Sequence, residues 1–311
     1  MKRSERNNMN IGKINKLRGI FPVIPSLFHD DNTLDLESQR KVVQFALNAG
    51  SHGVVFPGVA SEYNFLTSNE RGRLMALVAE EIDGRIPIVG GASAPSAKEV
   101  IAAGRQAEEN GIRILMVMAP NGLGKDLDVH RRFFTEIGEG LPDAEIMLQN
   151  APAPIGAGLA AKKILELVAS NTNISYVKEE TLPSGPAISG LRHAGIPHLK
   201  GVFGGGGARY IIDELSRGAH GAMPAIELAD LHVALYNAFS NAEAERARQL
   251  YRDSLPLLVS QSVYRMRLTK YVLSKRGITP ALHVRAPLPE LDEFTRQDVD
   301  QMLSDLKAVI L

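Results

Sequence analysis

The chain has 311 residues, of which 44% are apolar and 23% charged. This is the composition of soluble globular proteins, with enough length for one large core. Lys plus Arg and Asp plus Glu both number 35, so no excess basic field gathers nucleic-acid phosphates. Cysteine is absent, which excludes disulfides, thiolate catalysis and cysteine-held metal centres.

Residues 1–18, MKRSERNNMNIGKINKLR, are basic and polar and read as a flexible leader. They lack the apolar run of a signal peptide, and no later stretch has the length and apolarity of a bilayer span. A cytoplasmic protein without a membrane partner is the expectation.

From Gly19 onward, short apolar runs alternate with amphipathic ones. Strands are predicted at 19–24, 53–57, 86–91, 113–118, 145–149, 174–178, 199–203 and 220–224. Between them lie helical patterns such as LTSNERGRLMALVAEEI, whose Thr67 and Glu70 have capping-box spacing. Gly50, Gly111 and Gly195 close helices as C-caps. Strand then helix, repeated about eight times, predicts a (β/α)₈ TIM barrel over 19–225. A doubly wound sheet would carry a glycine-rich turn after its first strand, and VIPSLFHDD is not one. Beyond 225 only helical patterns remain, LADLHVALYNAFS, AEAERARQLYRDSLPLLVSQ, SVYRMRLTKYVLSKRG and TRQDVDQMLSDLKAVI. They form a C-terminal helical appendage over 226–311, joined without a linker.

Barrel enzymes hold their chemistry at the C-terminal ends of the strands. Those positions here include Gly58-Val59-Ala60-Ser61-Glu62, Asn121, Gln149-Asn150, Lys178-Glu179-Glu180, Gly204 to Gly207 and Met223. They hold no histidine pair and no set of carboxylates at ligand spacing, so no metal and no cofactor is expected. All eight histidines read as structural or surface. Lys178 is the one lysine. Desolvation favours a neutral amine, and a neutral lysine condenses with a ketone to an imine. The bland alternative is a rim lysine whose head reaches solvent. Strand alternation turns Lys178 inward and Glu179 outward. Glu180 reads as a solvated loop residue, with an inward acid as the other possibility.

These residues resemble the dihydrodipicolinate synthase/N-acetylneuraminate lyase family of Schiff-base aldolases, from Gly19 to the last helices. Tyr176-Val177-Lys178-Glu179 matches its strand-six lysine motif, and Gly58-Val59-Ala60-Ser61-Glu62 its G-[TS]-T-G-E motif. Lys270 and Gly277 fall in register with its C-terminal helix motif. The departures are informative. Gln149-Asn150-Ala151-Pro152 stands where the family has Y-N-x-P, so the proton-transferring tyrosine is replaced by an amide. Val59-Ala60 replaces a threonine pair, Asn121 a tyrosine and Pro154 the arginine of true synthases. The 2-keto-3-deoxy-L-arabonate dehydratase branch is similar in Ser61-Glu62, in the glutamine of 149–152, in Arg267-Leu268-Thr269-Lys270 and in Arg285-Ala286-Pro287-Leu288.

The resemblance implies Lys178 as the imine-forming residue, with Gln149 beside the imine. It implies Gly58, Val59, Ala60 and Ser61 presenting N–H groups and a hydroxyl to a 2-oxo-acid carboxylate. Glu62 stands between proton carrier and structural glutamate. Gly204 and Gly205 would approach substrate through backbone N–H groups, with Met223 on the wall. The expected activity is dehydration of a 2-keto-3-deoxy sugar acid. A pyruvate-dependent aldolase and a non-catalytic 2-oxo-acid binder stay open, and lysine-pathway synthase activity is not expected. The family also implies a homo-oligomer, dimer or tetramer.

Overall fold

The computed structural model describes residues 16–306. Its strands are β1 Gly19–Ile20, β2 Val54–Phe56, β3 Ile88–Gly91, β4 Ile114–Met118, β5 Glu145–Asn150, β6 Ile174–Glu179, β7 Gly201–Gly204 and β8 Gly221–Ala222. All eight pair in parallel in the order β1-β8-β7-β6-β5-β4-β3-β2. The two free edges meet through a parallel bridge, Val23 to Val55. Val55 N–H donates to the Pro22 carbonyl at 3.0 Å, and Ile24 N–H to the Val55 carbonyl at 3.0 Å. The sheet therefore closes into a TIM barrel, as the alternation predicts.

The first and last strands are only two residues long, because Pro22 and Pro224 bring no N–H to the ladder. Pairing continues past them all the same, through Val23 N–H to the Pro224 carbonyl at 2.8 Å.

Seven helices coat the barrel: α1 Leu36–Asn48, α2 Ser68–Ile82, α3 Ala97–Glu109, α4 Leu127–Gly140, α5 Ala161–Ser170, α6 Ser184–His193 and α7 Ile211–Ser216. Helix α2 starts on the expected capping box. Thr67 Oγ1 accepts from Glu70 N–H at 3.2 Å, and Thr67 N–H donates to Glu70 Oε2 at 2.9 Å. Such a cap stabilises a helix by about 1 kcal/mol. Gly50, Gly111 and Gly195 adopt φ of 71°, 76° and 62°, the left-handed geometry that lets a chain leave a helix.

Side chains alternate across each strand. Val55, Val89, Met116, Met147, Tyr176 and Phe203 fill the barrel interior. Val54, Leu115, Leu148, Val177 and Val202 pack outward with the helices. Leu17, which the sequence places in a flexible leader, is 2% exposed and belongs to the interior cluster. The rest of that leader, up to residue 15, lies outside the described residues.

Three C-terminal helices follow: α8 Ala229–Ser240, α9 Ala244–Lys275 and α10 Glu293–Leu306. Two separate helices were expected between 242 and 277, parting after 261. The stretch is two helical segments, joined across a kink at Arg265, which takes φ 49° and ψ −125°. The appendage shares a core with the barrel, since Leu231, Leu257, Leu268 and Val272 cluster with Ile20, Ala222 and Ile211.

Candidate active site

The strand parity that puts Met147 and Tyr176 inside the barrel puts Gln149 and Lys178, two residues on, inside as well. Parallel register sets them side by side: Gln149 pairs with Lys178, and Lys178 with Phe203. Both are buried, at 2% and 4% exposure. The last inward-facing residue of the buried strand is thus a lysine that faces a cavity at the C-terminal mouth of the barrel.

That cavity has a volume of about 440 Å³. Glu180 sits in it beside the lysine, with its Oε1 at 3.2 Å from Lys178 Nζ. Gln149 Nε2 donates to Glu180 Oε2 at 2.6 Å, and Gly206 N–H donates to Oε1 at 3.1 Å. Glu180 is therefore an inward acid, not a solvated loop residue. Burial works against its charge, but the Lys178 ammonium and these two donors outweigh it. Its carboxyl is held below the ordinary glutamate range. Glu179 points outward as expected and is bound by Asn150 Nδ2 at 3.0 Å and Thr181 N–H at 2.8 Å.

The glycines after β7 make room for carboxylates. A Cβ on Gly205 would lie 2.4 Å from Glu180 Cγ, and one on Gly204 would lie 1.8 Å from Glu214 Oε2. Gly205 lines the cavity and Gly204 lies behind it. Glu214 is 1% exposed and accepts from Ser184 Oγ at 2.8 Å. Burial, opposed by that hydroxyl, pushes its carboxyl up to about 7.

The loop after β2 divides its expected residues. Val59 and Ala60 line the cavity at the start of a one-turn 3₁₀ helix, where N–H groups lack intrahelical partners. Gly58 and Ser61 do not line it. Ser61 is fully buried, its Oγ accepting from Gly58 N–H at 2.8 Å and donating to the Ile24 carbonyl. The Ser61 hydroxyl thus serves the turn rather than a ligand.

Glu62 points away from the cavity. Lys270 Nζ lies 2.7 Å from its Oε1, and the N–H groups of Arg285 and Ala286 each donate to Oε2 at 2.8 Å. Of the two readings left open, the structural one matches this geometry: a carboxylate so committed has no face left for substrate. The Lys270 register that resembles the family motif is explained by the same ion pair.

Met223 lines the cavity, together with Arg209, Tyr210 and Arg265, which sequence reading passed over. Arg265 had no turn residue to announce it. A larger cavity of about 700 Å³ lies near Tyr63, Arg71, Ser93 and Asn121. It contains neither Lys178 nor Glu180, so size does not single out the candidate site. Among the described residues no group of three or more His, Cys, Asp or Glu is arranged to hold a metal ion. No helix there is long and apolar enough to cross a membrane.

Comparison with known proteins agrees with this architecture. The L-2-keto-3-deoxyarabonate dehydratase of Azospirillum brasilense is 29% identical over 298 residues, covering 94% of this chain and 96% of its own. A probable 2-dehydro-3-deoxy-D-pentonate aldolase of Escherichia coli K12 is 24% identical, covering 93% and 97%. The crystal structure of dihydrodipicolinate synthase from Rhodopseudomonas palustris superposes with a TM-score of 0.87 at 25% identity, over 94% of this chain and 98% of that one. Residues 16–306 match the Dihydrodipicolinate synthetase family. With the closed barrel and the lysine at the end of its sixth strand, the chain belongs to that family and is a lyase.

Proposed function

We propose that the protein is a Schiff-base lyase that dehydrates a 2-keto-3-deoxy sugar acid. The observation that carries this reading is the Glu180 carboxylate 3.2 Å from Lys178 Nζ, fixed by Gln149 where an aldolase of the family would use a tyrosine. A similar dehydratase and a similar probable aldolase are both known, so names alone do not choose between the reactions.

In this reading Lys178 passes a proton to Glu180 and its neutral amine adds to the C2 ketone; Glu180 returns the proton to the resulting hydroxyl, which leaves as water and gives the protonated imine. The substrate carboxylate rests against the N–H groups of Val59 and Ala60. Glu180, ionised at rest, takes the proton from C3, and the electron pair is held as an enamine. Glu180 then returns that proton to the C4 hydroxyl, which departs as water while a C3–C4 double bond forms. Hydrolysis of the imine frees Lys178. One carboxylate next to the imine serves both transfers. Retro-aldol cleavage would instead begin with a base on the C4 hydroxyl, so the product tells which of the two protons, on C3 or on that hydroxyl, Glu180 takes first.

Product analysis with a panel of 2-keto-3-deoxy acids tests the reading. The expected product keeps every carbon and is short by one water. Pyruvate plus an aldehyde would make the protein an aldolase. Imine formation without consumption of any sugar acid would make it a binder.

A further inference from the structure

Lys178 and Glu180 neutralise each other, yet the same cavity is lined by two more cations, Arg209 and Arg265, and by Glu214. Neither arginine has a carboxylate within 4 Å among the described residues. Arg209 reaches only the Leu258 carbonyl at 3.4 Å and Gln261 Oε1 at 3.5 Å, both weak contacts. The Arg265 side chain makes no hydrogen bond or ion pair there. Burial pulls the Arg209 guanidinium below its ordinary range; Tyr210 and the Glu180 carboxylate oppose the fall, and the Arg265 charge adds to it. Two half-buried guanidinium groups facing one cavity, with the Glu180 carboxylate shared with Lys178 and none at contact distance from either arginine, favour the arrival of an anion.

The backbone supports the same view. Arg265 is not glycine, yet it holds φ 49° and ψ −125° at the kink that joins the two helical segments of α9. Such strain persists where surrounding structure or function requires it. The break in α9 carries this side chain to the cavity, beside Gln261, Ser262 and Met266. A regular helix would carry the same residue along another direction.

We infer that Arg209 and Arg265 form a subsite for a second anionic group, a carboxylate or phosphate at the far end of the substrate from its 2-oxo-acid head. Guanidinium forks match both groups bidentately. This rests on the proposed imine at Lys178: the head is placed by Val59, Ala60 and the lysine, so the arginines meet the tail. The substrate class narrows from sugar acids in general to those that carry a terminal acid.

Imine trapping with borohydride tests this without knowledge of the natural substrate. The protein is titrated with 2-oxoglutarate and, separately, with 2-oxopentanoate, which has the same carbon chain and a methyl terminus. A third arm uses 2-keto-3-deoxy-6-phosphogluconate, and pyruvate is the control. Half-trapping of Lys178 should need roughly 10- to 100-fold less of the diacid or of the phosphate ester than of 2-oxopentanoate. The better of the two names the terminal group. Arg209→Gln and Arg265→Gln should each shrink that preference about 10-fold or more, with folding checked by circular dichroism. Arg209→Gln keeps the question answerable if the strained position 265 does not tolerate change. Trapping of neither 2-oxoglutarate nor the phosphate ester at lower concentration than 2-oxopentanoate, or arginine variants that weaken the preferred anion and 2-oxopentanoate alike, would overturn the subsite. Failure to trap even pyruvate would instead overturn the imine chemistry beneath it.

Discussion

At the residue scale the proposed chemistry rests on three side chains, and two were legible in the sequence. Lys178 and Gln149 end strands whose alternation is regular, so parity alone turns them inward. Glu180 lies one residue past the strand, where alternation stops giving direction. Its position is set by Gly206, 26 residues later, and by Gln149, 31 residues earlier. Contacts of that kind are written in three dimensions only. Glu180→Gln is expected to keep borohydride trapping at Lys178 and lose about 10²–10⁴-fold in turnover, since an amide cannot carry the proton. Equal turnover in the variant, measured by product formation, would remove Glu180 from the mechanism. Gln149→Ala frees one carboxylate oxygen and should cost roughly 10-fold in kcat, the value of one charge-assisted hydrogen bond.

At the scale of elements, loops decide what the strands present. Between β7 and α7, the glycines read from sequence as N–H donors to substrate instead leave space for Glu180 and Glu214, while Gly206 N–H binds Glu180. Gly205→Ala would press a methyl against Glu180 at 2.4 Å. It should lower turnover at least as far as Gln149→Ala while the circular dichroism spectrum keeps its shape; unchanged turnover would show that Glu180 has freedom to move. The loop after β2 binds the appendage through Glu62, whose partners lie 208 and more residues away. No local pattern announces them, which is why sequence left its role open. Lys270→Met should destabilise the fold by about 3–5 kcal/mol in urea, because the Glu62 charge is left buried without its counter-ion. A loss below about 1 kcal/mol would mean the pair is not what joins barrel and appendage.

On the scale of the whole molecule, eight apolar runs and their spacing sufficed for the barrel, because strands buried on both faces announce themselves. The break in α9 showed as an interruption after 261 but not at Arg265 itself, since no glycine or proline marks that residue. Leu17 did not show either, as a single leucine among polar residues carries no period. Burial also sets a pH dependence. Glu227, 1% exposed and bonded by Thr269 Oγ1 at 3.0 Å, is pushed up to about 7 by desolvation. A glutamate whose folded pKa is raised stabilises least when ionised, so its contribution falls as pH rises from about 4.5 through 7. His220 and His232, pulled down to about 4 by burial, act oppositely, losing stability as pH drops below 6.5. The two effects oppose each other in wild type below neutrality, so a difference isolates one. Glu227→Gln should gain on wild type by up to about 3 kcal/mol between pH 4.5 and 8, followed by urea unfolding. A difference that is flat with pH would mean that Glu227 is not forced neutral.

The most direct measurement is the mass of the protein after incubation with pyruvate and borohydride, with the adduct mapped to a peptide. One reduced pyruvyl group on Lys178 is the expected result. It should be absent in Lys178→Ala and also in Lys178→Arg, whose guanidinium stays protonated and cannot attack a ketone. An unmodified wild-type chain, or an adduct that persists in Lys178→Ala, would contradict imine chemistry at the end of the sixth strand.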